Sequence, residues 1–69
     1  MKLVRLLTTN GGVEKNIYVN AELISSITPN TFKGDSTGIA CWVIMNNGDC
    51  YNVLHPKFED LINRLETIP

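Results

Sequence analysis

Ile39-Ala40-Cys41-Trp42-Val43-Ile44-Met45-Asn46-Asn47-Gly48-Asp49-Cys50-Tyr51-Asn52-Val53-Leu54 is the most informative run of the chain. An Asn-Gly pair can supply the positive φ values of a type I′ turn, whose twist matches that of paired strands, so Ile39 to Asn46 and Asp49 to Leu54 read as a two-residue β-hairpin. That register sets Asn46 opposite Asp49, Met45 opposite Cys50, Ile44 opposite Tyr51, Trp42 opposite Val53 and Cys41 opposite Leu54. Side chains alternate between faces, so Ala40, Trp42, Ile44, Tyr51 and Val53 share one face. Ile39, Cys41, Val43, Met45, Cys50 and Leu54 share the other. Both faces are apolar, and the hairpin is expected to be central and covered on each side.

Upstream, Lys2 to Thr9 alternates with a period of two and reads as a strand, with Leu3, Arg5 and Leu7 on one face and Val4, Leu6 and Thr8 on the other. Asn10-Gly11-Gly12 is a turn signal that Val13 to Lys15 lengthens, before a second strand over Asn16 to Asn20. This gives a first hairpin with a looser loop than the second. Asn20 reads as the N-cap of one short helical turn, Ala21-Glu22-Leu23. Ile24 to Thr28, rich in β-branched and hydroxyl residues, is a third strand that Pro29 ends. Asn30 to Gly38 is a loop whose one large apolar residue, Phe32, is expected to fold back onto the core.

Downstream, His55-Pro56 is read as opening a helix, with proline at the first helical position. Phe58, Leu61, Ile62 and Leu65 form a single apolar stripe, and Glu59 and Asp60 near the start and Arg64 near the end suit the helix dipole. The fold class is therefore α+β: one small domain over residues 1–69, with an antiparallel sheet of about five strands, two hairpins and one C-terminal amphipathic helix. That helix can cover only one apolar face. Exposing a tryptophan would forgo about 4 to 6 kcal/mol, so either the sheet curls toward a barrel or a second copy or another protein covers the far face. Self-association is the expected solution, because a core of this size contributes only about 3 to 5 kcal/mol net.

Composition narrows the functional classes. The formal net charge is −1, and the six Lys and Arg residues are scattered, so nothing favours nucleic acid. No run approaches the roughly 20 apolar residues of a membrane span, and the N-terminal run is too short for a signal peptide core. The two cysteines, Cys41 and Cys50, fall about 13 Å apart in the expected register, so both are expected to be free, buried structural thiols of a cytoplasmic protein.

No catalytic or metal-binding constellation emerges. His55 is the only histidine, and the register turns it away from both thiols. The glycines match neither a Walker loop nor a dinucleotide fingerprint. No cofactor and no enzymatic activity are expected. The residues singled out as interface or ligand contacts are Tyr18, Phe32, Trp42, Tyr51 and His55.

Leu3-Val4-Arg5-Leu6, Asn10-Gly11, Ile17-Tyr18-Val19-Asn20, Leu23-Ile24 with Ile27, Asn47-Gly48, Tyr51-Asn52-Val53 and the Phe58 to Ile62 helix occur in an order that resembles the FlbD or SwrD family of very small bacterial proteins associated with flagellar function and swarming. The chain departs from that pattern at Val53-Leu54-His55-Pro56, and its first turn and Asn30 to Gly38 loop are longer. The resemblance implies a non-enzymatic cytoplasmic protein that acts through protein contacts, with no catalytic residues to carry over. Three readings follow: a self-associating protein-interaction module serving motility or regulation, a phage or mobile-element protein that inhibits a host factor, and a small nucleotide- or RNA-binding sheet that stacks bases on Trp42, Tyr51 and Tyr18.

Overall fold

A computed structural model describes residues 2–67. Strands β1 (Leu3–Asn10), β2 (Val13–Asn20), β3 (Ile24–Pro29), β4 (Cys41–Met45) and β5 (Cys50–His55) form one antiparallel sheet in the order β2-β1-β5-β4-β3, and helix α1 (Phe58–Thr67) follows. A single 3-10 turn, Ala21–Leu23, joins β2 to β3, and the Asn20 side chain caps it by accepting the Glu22 N–H at 3.0 Å. The α+β architecture is as the residue pattern predicts.

β2 and β3 lie at opposite edges of the five-stranded sheet. Laid flat, those edges would stand about 19 Å apart, four strand spacings, whereas a three-residue 3-10 turn rises only about 6 Å. The sheet must curl, and the turn is tied to both halves of it. Ala21 N–H donates to Lys2 O at 2.7 Å, and Asn46 N–H donates to Leu23 O at 2.8 Å. The two edge strands are not paired with each other, so the curled sheet is open and not a closed barrel.

Val4, Leu6, Val19, Cys41, Val43, Met45, Val53 and Leu61 make the core, with Ile17, Ala21, Ile24, Ile27, Tyr51, Phe58 and Leu65 packed around it. Of the predicted stripe, Phe58, Leu61 and Leu65 join the core, while Ile62 is half-buried and lies outside it; the helix packs against β3. It starts later than expected. Pro56 is buried ahead of it and follows a cis His55–Pro56 bond, and the first helical hydrogen bond runs from Leu61 N–H to Lys57 O at 2.9 Å.

The two hairpin turns exchange the roles expected of them. Gly11 and Gly12 have φ of 59° and 84°, and Asn10 pairs directly with Val13. This is the tight two-residue turn with both central residues at positive φ, and β2 begins at Val13 and not at Asn16. In the second hairpin no non-glycine residue has positive φ, so Asn47 cannot occupy a type I′ turn. Gly48 alone does, at 94°. Its N–H donates to Met45 O at 3.0 Å and Met45 N–H donates to Asp49 O at 2.8 Å, which closes a three-residue loop of the kind that ends in a left-handed glycine. Asn47 instead accepts the Asp49 N–H through Oδ1 at 2.9 Å, a side-chain mimic of a turn.

The extra loop residue moves the β4–β5 register by one. Cys41 faces Val53, Trp42 faces Asn52, Val43 faces Tyr51 and Ile44 faces Cys50. A slip of one transfers side chains between faces, and three expectations change with it. Tyr51 lies on the core side with Val43, whereas Trp42 lies on the outer side, so the two rings do not share a face. Trp42 is half-buried and not enclosed. Cys50 is exposed on the outer side, and only Cys41 is a buried structural thiol. The outer face is also less greasy than expected: Trp42 lies between Thr28 and Asn52, and Ile44 between Ser26 and Cys50.

Candidate interaction surface

The Gly11-Gly12 turn brings β1 and β2 together in unbroken register from Asn10–Val13 to Leu3–Asn20. Thr8, on the core side, donates its hydroxyl to Lys15 O at 3.0 Å and so satisfies itself while fastening the strands. β1 pairs on its other side with β5, but β2 has no second neighbour and is exposed over most of its length. Three of the large apolar side chains most open to solvent belong to this hairpin: Leu3 at 54%, Val13 at 67% and Tyr18 at 65% exposed. Val13, Ile17 and Tyr51 line a groove of about 550 Å³ beside the edge, shared with Asn10, Lys15 and Tyr18.

A second concavity lies where the long loop meets the β5–α1 junction. Asn30 and Asp35 build that loop from within. The Asn30 amide donates to Asp35 Oδ2 and, at 2.9 Å, to Ile39 O, while its oxygen accepts Phe32 N–H at 3.0 Å. Asp35 accepts the Thr37 N–H and the Thr37 hydroxyl, each at 2.9 Å. The Thr37 N–H foremost, then the Thr37 hydroxyl and the Asn30 amide, hold the Asp35 carboxyl below the usual carboxylate range. With its polar groups satisfied internally, the loop leaves Phe32 outside at 77% exposed, which corrects the expectation that this ring folds onto the core. Phe32, Leu54, His55, Lys57 and Phe58 border a cleft of about 410 Å³ beside the loop.

The residues singled out from the sequence therefore fall into separate places. Tyr18 and Tyr51 both border the β2 groove, and Phe32 and His55 both border the loop cleft. Trp42 stands apart on the outer face of β4. Sequence reading missed Val13 and Leu3. The signal for Val13 was the Gly-Gly pair, which permits a two-residue turn and so places Val13 at the head of an edge strand.

Burial raises the Cys41 thiol above its ordinary value. Among the described residues no three His, Cys, Asp or Glu side chains converge to hold a metal, and no helix is long and apolar enough to cross a membrane. Comparison with known protein families, with curated proteins and with solved structures finds no match for this chain.

Proposed function

We propose that this chain is a small non-enzymatic interaction module that associates with itself through the β1–β2 side of its sheet. The observation that carries the reading is that the edge strand β2 has no second neighbour, is exposed over most of its length and carries Val13 and Tyr18, both more than half exposed. Apolar side chains left exposed along an unpaired edge mark a contact surface, and a core this small gains from burying them. An exposed free thiol at Cys50 fits a reducing compartment, and we place the protein in the cytoplasm.

The resemblance to FlbD and SwrD supports a role as a motility or regulatory accessory. A base-stacking role has less in its favour, since a stacking platform needs rings side by side and Trp42 and Tyr51 lie on opposite faces. Sedimentation equilibrium across the micromolar range tests the reading. A mass that rises from one copy to two is expected, and a single-copy mass at every concentration refutes it.

A further inference from the structure

We propose that β2 pairs edge to edge with β2 of a second copy, antiparallel about a two-fold axis at Asn16, so that two sheets join into one; this rests on the self-association reading above. In a two-residue hairpin the pair flanking the turn exchanges hydrogen bonds, and alternate pairs beyond it do the same. Val13, Lys15, Ile17 and Val19 therefore turn their N–H and C=O groups toward β1, in keeping with the Thr8 hydroxyl found on Lys15 O. Glu14, Asn16 and Tyr18 turn theirs the other way, to the side where the sheet has no further strand.

The opposite edge is protected and this one is not. β3 ends in Pro29, and its register slips between Ile24 and Ser26, two features that spoil an edge as a template. β2 contains no proline, and its pairing with β1 runs without a bulge. Only Glu14 and Lys15 interrupt it with charge.

Those charges select the register. A two-fold axis perpendicular to the sheet keeps like faces together, so each register is centred on one residue. Centring on Glu14 or on Lys15 sets a charge against its own copy, which is unfavourable. Centring on Ile17 draws in Asn20, which already caps the 3-10 turn. Centring on Asn16 sets Glu14 opposite Tyr18 of the second copy, Lys15 opposite Ile17 and Val13 opposite Val19. All three residues with outward backbone groups then find partners, and the exposed Val13 gains an apolar neighbour.

Two variants and one measurement test the arrangement. Asn16→Pro removes an N–H that β1 does not use, the one setting in which an edge strand tolerates proline. The fold, monitored by circular dichroism and by the continued protection of Cys41 from thiol reagents, is expected to persist while the dimer is lost. Asn16→Lys leaves the backbone intact and places like charges at the axis; its dissociation constant is expected to rise about tenfold or more. In the unaltered protein, hydrogen exchange at the Glu14, Asn16 and Tyr18 amides is expected to slow as concentration rises. A dimer that survives both substitutions with those amides unprotected overturns edge pairing and leaves self-association standing. A protein that never dimerises overturns both.

Discussion

Leu61 is the one helical side chain that is fully buried among the described residues, and its truncation measures how much the fold depends on α1. Leu61→Ala removes a packed side chain from a site walled by the sheet, where replacements of this kind cost about 2 to 5 kcal/mol. A core of this size supplies about 3 to 5 kcal/mol net, so the change consumes most of the stability. At about 4 to 8 °C per kcal/mol for a domain this small, the melting temperature should fall by at least about 8 °C. Thermal and urea melts followed by circular dichroism, at one fixed protein concentration, give the value. Ile62→Ala, one position round the helix at a half-buried site, is the control and should cost clearly less. A loss under about 1 kcal/mol for Leu61→Ala, or equal losses for the two, would refute the placement of the helix.

Val43→Glu should unfold the chain, because it places a charge at a fully buried position, whereas Trp42→Glu on the outer face should leave a folded protein; melting curves of the two separate the observed register from one shifted by a residue. Thiol labelling of the native protein near neutral pH should modify Cys50 and spare Cys41, with both reacting in denaturant; early labelling of Cys41 contradicts its burial. The Asp35 carboxyl, titrated by NMR, should have its midpoint below that of an unperturbed aspartate. Because its folded value is depressed, the stabilisation it lends the loop is present above the unfolded value of about 3.9 and lost as pH falls through the folded one. A normal midpoint contradicts the loop geometry.

Most of the architecture was legible because several signals agreed at each point. Period-two alternation over Leu3 to Thr8, the Asn20 cap, the halt at Pro29 and the apolar spacing of Phe58, Leu61, Ile62 and Leu65 each have a single physical reading. The turns do not. Asn-Gly serves a type I′ turn when both residues take positive φ, and a three-residue loop when only glycine does. The choice here goes with the Asn47 side chain bonding Asp49 N–H, an interaction that leaves no trace in hydropathy. Gly11-Gly12, free of any such competition, makes the two-residue turn.

From that one ambiguity came the misplacement of Tyr51 relative to Trp42, and of Cys50. The position of Phe32 was hidden for a different reason. It goes with a loop closed by Asn30 reaching Ile39 O, a bond between the two ends of the loop that local sequence does not announce. For the proposed contact surface, Tyr18 was visible as an aromatic residue on a strand. The edge that gives it meaning depends on strand order, which no local pattern carries.

The strand order has a kinetic consequence. β1 and β2 form one local ribbon at the start of the chain, and β4 and β5 another near its end, each closable by a few residues of turn. The seam between them, where Thr8 meets Val53 and Leu7 meets His55, joins segments from opposite ends of the sequence. Among the strand pairings it closes the longest loop and carries the largest closure entropy, which favours late docking of the two ribbons. During synthesis the first ribbon emerges with both long margins bare, and β5, which shelters the inner one, is made only after β3 and β4.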